Sequence, residues 1–311
     1  MMKIRKNLRK SIYEIYIICL YIPIYIRLFL YCLKYKNSPT ILWKVNPTFP
    51  YGWLVCKKTT IWEKFQVNKQ SFEKFFCKTL TISIKDTYPQ KEKKVQTYIK
   101  KEKMQYPLIL KPNDGVGWIG LWFIENEKSL LTALKTIKKE YILQEYIARP
   151  LELSVFFIKY PWQKGKIRSL TRRYTIKKSN DPELMIPTRR IIYKDESHFI
   201  TTILEDRFNS ISDIDGFYFG RFDIRVKDMN TFVSKWTWFK IIEVNVGAHS
   251  MALQAFDNKY GWVQRYKIFF NQLKIAFDIA KKNEHTPAYG KQNVREFIQS
   301  FMKIFQNIDN Q

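Results

Sequence analysis

Histidine and cysteine are scarce in this sequence, and acidic residues are far outnumbered by basic ones. No two cysteines form a C-x-x-C pair, and no histidine lies near any of them, which argues against a zinc site and against a disulfide framework. We therefore expect a reduced, cytoplasmic environment, and the histidines are too few and too spread for a histidine metal site. These residues are Cys19, Cys32, Cys56, Cys77, His198, His249 and His285.

The charge balance is strongly positive, with 54 lysines and arginines against 28 acidic residues and a net charge of +26. Such an excess attracts nucleic acid, an anionic membrane surface or phosphorylated molecules. Because no RNA-recognition, zinc-finger or helix-turn-helix pattern is present, nucleic acid ranks below a nucleotide or a membrane as the partner. The 46% hydrophobic content of the 311 residues is enough for a sizeable core, in one unit or in two to three subdomains.

The N-terminal segment is basic over residues 1–10 and almost wholly apolar over 11–33, where Glu14, Pro23 and Arg27 interrupt it. A cleaved signal peptide is disfavoured, because no small-residue cleavage site follows. A spanning helix would bury Glu14 and Arg27 at a cost of about 2–3 kcal/mol each. Two shorter segments that lie in the inner-leaflet interface fit better, and a helix pair packed on the protein's own core is the alternative.

A glycine-containing turn stands between two apolar stretches over residues 106–124, which predicts a β-hairpin. Gly115, Gly117 and Gly120 allow a backbone to approach an anion closely, and consecutive amides in such a turn form a concave anion site. Lys111 lies where the first strand meets the turn and adds a positive charge. The hairpin is either a phosphate clamp or an ordinary hairpin with a solvated lysine.

The remaining chain alternates between helical and strand patterns. Hydrophobic spacing predicts a helix over 61–80, a solvated helix face in the lysine-rich stretch 91–103, and a helix over 125–140 with Asn126 as N-cap. The predicted strands are 141–147, 151–158, 166–175, 217–226 and 236–246. A mobile loop is expected over 177–190, a hairpin turn around 228–231, and helices over 203–212, 257–283 and 294–308.

Acidic and amide residues occur inside two of the apolar strands. Asp223 lies in the first of them, and Glu243 and Asn245 are two apart in the second, so the last two share a face. If Asp223 faces the same side, three oxygen ligands converge, and hard oxygens with few charges suit Mg²⁺ shared with a nucleotide phosphate. The alternative is that these residues pair with neighbouring arginines, of which Arg221 and Arg225 are adjacent.

In order, the chain has a lysine–glycine hairpin, a helix, a Gln-Glu strand, a glutamate-led strand, a Gly-Arg-x-Asp strand and a Glu-x-Asn strand. This order resembles the ATP-grasp superfamily over roughly residues 75–285, and looks most like D-alanine–D-alanine ligases and uncharacterised bacterial carboxylate–amine ligase-like proteins. The resemblance implies an α+β fold in which two α+β subdomains, 75–145 and 146–285, clamp a nucleotide. Residues 1–35, 36–74 and 286–311 would be the apolar N-terminal segment, a short preceding region and a C-terminal helix.

The resemblance also implies a role for individual residues. Lys111 matches the lysine that contacts the nucleotide phosphates, and Arg221 matches the arginine that stabilises the transferred phosphoryl group. Residues 115–120 match the loop that closes over the phosphates, and Glu152 falls at the position that hydrogen-bonds the ribose. Adenine would be recognised by the hinge that consists of Gln144, Glu145, Tyr146 and Ile147. The implied Mg²⁺ ligands are Asp223, Glu243 and Asn245.

The activity implied by this resemblance is that of an ATP- and Mg²⁺-dependent ligase, which phosphorylates a carboxylate to an acyl-phosphate for attack by an amine or thiol. Its substrate would be a small-molecule or envelope-precursor carboxylate. The stretch after Asn245, residues 246–250, departs from the usual ligase substrate loop and leaves that substrate unassigned. The alternatives are an ATP-grasp enzyme with another phosphoryl acceptor or an envelope-modifying role, and a non-catalytic nucleotide- or membrane-binding protein with a degenerate site.

Overall fold

The protein is described by a computed structural model over residues 22–50, 52–53, 57–66, 74–114, 120–177, 189–235, 239–251 and 253–287. Two antiparallel sheets, each with its own helices, make up this part of the chain. The expected α+β class is therefore confirmed. The predictions for Gly115, Gly117, residues 1–21 and the C-terminal helix over 294–308 lie outside the described residues.

The first sheet contains four strands: β1 (Thr79–Ile82), β2 (Leu108–Pro112), β3 (Trp122–Ile124) and β4 (Tyr141–Glu145). Their spatial order is β1-β4-β2-β3, and every neighbouring pair is antiparallel. Helices α3 (Tyr88–Lys101) and α4 (Glu127–Thr136) cover one face, where Leu108, Leu110 and Leu143 are fully buried. α4 begins as predicted, because the side chain of Asn126 accepts a hydrogen bond from the Ser129 amide at 2.9 Å.

The second sheet contains five strands in the order β7-β6-β5-β8-β9. The strands over 151–158 and 219–226 are buried almost along their whole length, and the second of them alternates apolar residues with Arg221, Asp223 and Arg225. The strands are β5 (Leu151–Ile158), β6 (Lys166–Lys177), β7 (Arg189–Asp195), β8 (Phe219–Val226) and β9 (Phe239–Val246).

The two faces of the second sheet are covered differently. One face packs in a phenylalanine-rich core with α2 (Lys58–Gln66), α5 (Thr202–Ile211) and α6 (Met229–Lys235). Part of the other face packs on α7 (Trp262–Lys282), a 3₁₀ helix at Pro39–Val45 and the helix over 22–34, called α1 here. The rest of that face is polar. Short 3₁₀ turns occur at Ser197–Phe199, Gly247–Ser250 and Leu253–Phe256.

The two sheets are linked by the backbone at two places. Residues 146–150 lead from β4 into β5, and residues 76–78 lead into β1 after running beside β9. There the Cys77 amide donates to the Ile241 carbonyl at 3.2 Å, and Lys240 Nζ donates to the Phe76 carbonyl at 3.1 Å. Arg225 also donates to the Arg149 carbonyl at 3.1 Å beside the other crossing.

Several predicted element boundaries are wrong. The helix expected over 61–80 ends at Gln66, and Thr79 and Leu80 belong to strand β1. The loop expected over 177–190 includes the end of β6 and the start of β7. The turn expected around 228–231 is the start of α6, where Asp228 accepts a hydrogen bond from the Thr231 amide at 2.7 Å. Strand β4 ends at Glu145 and not at 147, and α7 begins at 262 and not at 257.

α1 packs on the protein with one side. The Tyr31 ring contacts the Phe277 ring with centroids 5.5 Å apart, and Ile24 and Cys32 are buried in the same cluster. This packing concerns residues 22–34, and because residues 11–21 lie outside the described part of the chain, the choice between membrane contact and a packed helix pair stays a prediction. Within the described residues, no helix is both long enough and apolar enough to cross a bilayer.

Candidate active site

Lys111 extends from the first sheet to the second. It is the fourth residue of β2, and its Nζ donates to the carbonyl of Ile242 in β9 at 3.3 Å. Burial between the sheets lowers the pKa of Lys111, and the nearby carboxylate of Glu243 opposes that shift. A lysine in this position presents a positive charge to whatever occupies the space between the sheets.

That space is a narrow crevice with a cavity volume of about 20 Å³, and it is partly open to solvent. Its walls come from both sheets and from α2, so it brings together three of the predicted site residues, Lys111, Gln144 and Glu243. Apolar side chains such as Ile61 and Trp62 form the remaining surface. Ligand sites share the few converging polar groups, but the crevice is much smaller than a pocket that encloses a whole ligand, which is roughly 300–1,000 Å³.

The sequence interpretation missed Lys58 as a site residue. Its Nζ lies 3.4 Å from Glu243 Oε1, and its side chain lines the same crevice as Lys111. Lys58 is held there because the first turn of α2 is bonded to Asn113, just beyond β2. The Lys58 amide donates to the Asn113 carbonyl at 3.0 Å, and the Thr59 amide donates to Asn113 Oδ1 at 2.9 Å. The basic pair Lys57-Lys58 at a helix start was the available sequence signal.

Asp223, Glu243 and Asn245 lie on one face of the second sheet. In the register of β8 with β9, Asp223 is directly opposite Glu243 and Arg221 is directly opposite Asn245. Side chains of directly opposed residues share a face, so the two carboxylates and the amide are neighbours. This face is the polar one, and its β9 edge borders the crevice.

Asp223 is almost completely buried and its two oxygens accept several hydrogen bonds. Arg221 approaches it with two nitrogens, Nε at 2.8 Å from Oδ1 and Nη2 at 3.0 Å from Oδ2. Ser154 Oγ donates to Oδ1 at 2.6 Å, and Asn245 Nδ2 donates to Oδ2 at 3.1 Å. Burial alone would raise the pKa of Asp223, but the charge and hydrogen bonds of Arg221 hold it below its ordinary value.

The negative charge of Glu243 is balanced mainly by two lysines, Lys111 and Lys58. Burial tends to raise the pKa of its carboxyl group, but the charges of Lys111 and Lys58 lower it on balance. The carboxylate therefore stays ionised at neutral pH with a lysine from each side of the crevice beside it. Two like charges at opposed positions, as in Asp223 and Glu243, repel each other unless cations separate them.

Glu152 is two residues before Ser154 in β5, on the same face of the sheet as Asp223. Both of its carboxylate oxygens are bonded to arginines. Its Oε1 is 2.5 Å from Arg173 Nη1, and its Oε2 is 2.9 Å from Arg225 Nη2. Both arginines are its cross-strand partners, Arg173 in β6 and Arg225 in β8. The predicted ribose ligand is thus held in the polar face next to the predicted metal ligands.

The predicted adenine-binding stretch begins inside the first sheet. Gln144 is buried in β4, and its Nε2 donates to Thr79 Oγ1 at 3.1 Å. The Glu145 carboxylate accepts a hydrogen bond from the Lys78 amide at 3.0 Å and lies 3.5 Å from Lys240 Nζ.

The last two residues of the predicted adenine-binding stretch follow β4. The Tyr146 ring packs edge-on against the Phe123 ring, and the Ile147 carbonyl accepts a hydrogen bond from the Arg149 amide at 2.8 Å. These residues therefore lie between β4 and the crossing to β5.

Of the predicted glycine loop, Gly120 is the residue that the structure describes. Its φ of +69° is in the left-handed region that favours glycine. A Cβ at this position would lie 3.0 Å from Pro112 Cγ and 3.1 Å from the Tyr141 hydroxyl. The end of the turn is therefore packed closely on the end of β2, near Lys111.

The donor set fits a magnesium ion chemically. Carboxylate and amide oxygens are the hard ligands that Mg²⁺ takes, usually with one or two carboxylates beside substrate phosphates. Asp223, Glu243 and Asn245 offer two carboxylates and one amide on adjacent strands. Among the residues with described positions, no group of three or more histidine, cysteine or acidic side chains suits a metal ion. A magnesium site here would therefore need further oxygens from a phosphate.

No family model matches the sequence, and no curated protein matches it. Among solved structures, D-alanine–D-alanine ligase from Bacillus anthracis is similar with 15% identity and a TM-score of 0.47, over 74% of this chain and 68% of that enzyme. Its complex with ATP gives 14% identity and a TM-score of 0.46 over the same shares of the two chains. VanG D-Ala:D-Ser ligase from Enterococcus faecalis gives 14% and 0.46, over 71% of this chain and 62% of that enzyme.

At these identities and TM-scores the likeness supports no conclusion about activity. The chain's own topology has two antiparallel sheets in sequence order, with a lysine of the first facing acidic residues of the second across a crevice. The structure therefore shows an α+β fold of two antiparallel sheets with a crevice between them.

Proposed function

We propose that this chain is an ATP-dependent ligase that activates a carboxylate as an acyl-phosphate for attack by an amine or a thiol. The observation that supports it best is the convergence of Lys111 and Lys58 with Glu243 in one crevice. Two lysines beside a carboxylate at the junction of two sheets provide charges of both signs, as a nucleotide phosphate with its metal ion requires.

In this proposal each residue has a binding or orienting role. Lys111 and Lys58 hold the phosphates by charge, and Asp223, Glu243 and Asn245 would hold Mg²⁺, which neutralises phosphate charge when bound. Arg221 stabilises the transferred phosphoryl group, and the Asp223 carboxylate fixes its guanidinium with two hydrogen bonds. Phosphoryl transfer depends on such positioning and charge neutralisation more than on a covalent protein nucleophile.

We place the adenine near Gln144, Glu145, Tyr146 and Ile147, and the phosphates under the turn that contains Gly115, Gly117 and Gly120. The substrate class is a small-molecule or envelope-precursor carboxylate. We place the reaction in the cytoplasm, where ATP is formed and where the buried thiols of Cys32 and Cys77 stay reduced. The expected subdomain limits, 75–145 and 146–285, are part of this proposal.

A binding experiment tests the nucleotide assignment. Titration calorimetry with ATP and Mg²⁺ should give affinities at least about tenfold weaker for Lys111→Met and for Glu243→Gln than for the wild type. The matched control is Lys93→Met, because Lys93 is an exposed lysine of α3 and loses the same charge. Equal affinities in all four proteins would refute the assignment. ADP release with pairs of candidate carboxylates and amines, lost in Asp223→Asn, would then support the ligase reaction.

One observation favours a second candidate, a nucleotide-binding protein without turnover. Both oxygens of Glu152 are already bonded to Arg173 and Arg225, so a ribose hydroxyl would have to share one of these oxygens with an arginine. Under this alternative the wild type binds MgATP in the calorimeter but releases no ADP with any acceptor. ADP release that depends on an added carboxylate excludes it.

A further inference from the structure

The helix α1 has an apolar stripe on its outer side that no described part of the chain covers. Its exposed large side chains recur at the spacing of one helix face, and Phe29 is the most exposed at 62%. Soluble surfaces seldom leave so many adjacent apolar groups in water unless a binding partner covers them. The stripe consists of Ile22, Ile26, Phe29, Leu30 and Leu33.

The first turn of α7 carries two further exposed apolar side chains. Arg27 lies over the Phe270 ring, Tyr31 contacts Phe277, and the Tyr35 hydroxyl donates to the Asp278 carboxylate. Because these partners advance together along both sequences, the two helices run side by side in the same direction. The first turns of α1 and α7 therefore lie at the same end, where Trp262 and Val263 are 48% and 70% exposed.

Apart from Asp278, which is bonded to Tyr35 and Lys274, the charges around this surface are positive. Neither residues 22–36 nor residues 262–277 contain an aspartate or a glutamate. Arg27 and Lys34 are seven residues apart and lie on the same flank of the stripe, and Lys36 and Lys267 are also exposed. Long cationic side chains beside an apolar stripe are placed to reach lipid phosphates while their stems stay in contact with apolar surface.

We propose that the outer face of α1, with Trp262 and Val263, docks in the interface of an anionic membrane. An apolar stripe flanked by cations fits both the acyl boundary and the headgroup charge of such a surface. A second copy of this chain fits less well, because its net charge of +26 would place like charges opposite each other. The upstream sequence agrees with a membrane partner, since residues 11–21 are largely apolar and residues 1–10 are basic.

Flotation of the full-length protein with lipid vesicles tests the proposal. The wild type should float with vesicles that contain phosphatidylglycerol, bind less at high salt, and bind weakly to phosphatidylcholine alone. The double variant Ile26→Ser, Phe29→Ser should lower the bound-to-free ratio at least about tenfold. Trp162→Ser is the matched control, because Trp162 is 90% exposed on the β5–β6 connection and should leave binding unchanged.

A charge variant separates the two contributions. Arg27→Gln, Lys34→Gln should reduce binding to phosphatidylglycerol vesicles by roughly tenfold or more while binding to phosphatidylcholine stays the same. Thermal unfolding midpoints equal to the wild type establish that the variants fold, as expected for exposed positions. A wild type that does not float, or an Ile26→Ser, Phe29→Ser variant that floats equally well, overturns the proposal. A dimer that forms without lipid and is lost in that variant overturns it in favour of a second copy.

Discussion

Replacement of Asp223 by asparagine tests most directly how much the buried ion pair with Arg221 contributes to stability. The aspartate is 1% exposed, and its oxygens accept two hydrogen bonds from Arg221 and one each from Ser154 and Asn245. Asparagine has the same shape but presents an amide group where one carboxylate oxygen stood. The guanidinium of Arg221, itself 9% exposed, would lose the charge that balances it.

The expected cost follows from the burial of the pair. Removal of one partner from a buried ion pair typically costs about 3–5 kcal/mol, since the other charge remains buried and uncompensated. Ser154→Ala deletes a single hydrogen bond to the same carboxylate and should cost about 1–2 kcal/mol. The double variant Arg221→Met, Asp223→Leu removes both charges together, so we expect it to be less destabilised than Asp223→Asn alone.

Urea unfolding at pH 7, followed by tryptophan fluorescence, measures these differences in the free energy of unfolding. Asp206→Asn is the matched control, because Asp206 has a side chain 66% exposed and should change stability by less than about 0.5 kcal/mol. An Asp223→Asn protein within about 1 kcal/mol of the wild type would refute the reasoning. It would mean that repulsion from Glu243, directly opposite, offsets the arginine pair.

The same pair predicts a pH dependence. The pKa of Asp223 in the folded protein lies below its ordinary value, which is about 3.9 in an unfolded chain. Its contribution is therefore fully present above about pH 4 and is lost as the pH falls through the folded pKa. Wild-type stability should drop below pH 4 more steeply than that of Asp223→Asn, and parallel curves in acid would contradict the assignment.

Three further predictions concern other positions. Asn46→Ala should cost about 2–4 kcal/mol in thermal or urea unfolding, because its buried amide bonds Gly52, Tyr218 and Phe219, whereas exposed Asn230→Ala should be nearly neutral. Glu152→Gln leaves Arg173 and Arg225 without a shared carboxylate, so sulfate should raise the melting temperature of this variant more than that of the wild type. Gly247→Ala should destabilise by more than about 1 kcal/mol, because its φ is +61° and a Cβ would lie 2.3 Å from the Trp53 carbonyl oxygen. Gly261→Ala, with nothing within 4 Å, is the control, and equal melting temperatures for the two alanine variants would contradict the Gly247 prediction.

The sequence predicted those helices and strands whose capping residues or hydrophobic patterns lie within the element itself. The cap at Asn126 and the apolar repeat after it predicted α4, a nearly continuous apolar run predicted β5, and apolar residues alternating with charged ones predicted β8. Strand β7 was missed because Arg189–Asp195 has charged residues at both ends and no period-two alternation, and its ladder partner is β6. α6 was missed because a seven-residue helix without a strong apolar repeat looks like a turn.

The candidate site likewise contains residues that local sequence predicted and residues that depend on distant parts of the chain. Two-residue spacing put Glu243 and Asn245 on one face, but the position of Asp223 opposite Glu243 depends on the register of two strands. The position of Lys58 could not be predicted from the sequence, because it depends on hydrogen bonds between α2 and Asn113. One of these bonds joins Thr59 to Asn113, which are 54 residues apart in the sequence. From the sequence, Asp223 could either bind a metal ion or form an ion pair with an arginine. The structure shows the ion pair with Arg221 and does not test whether Asp223 also binds a metal ion.

The bond between α2 and Asn113 has a mechanical consequence for the entry of a ligand. α2 is bonded to the first sheet at Asn113, yet Ile61 and Phe65 are buried in the core of the second. The backbone crossings at 76–78 and 146–150 meet the other end of β4, about 14 Å from Asn113 along the strand. The two sheets are therefore joined at both ends of β4, and a ligand that enters the crevice meets two walls that are linked on either side of it.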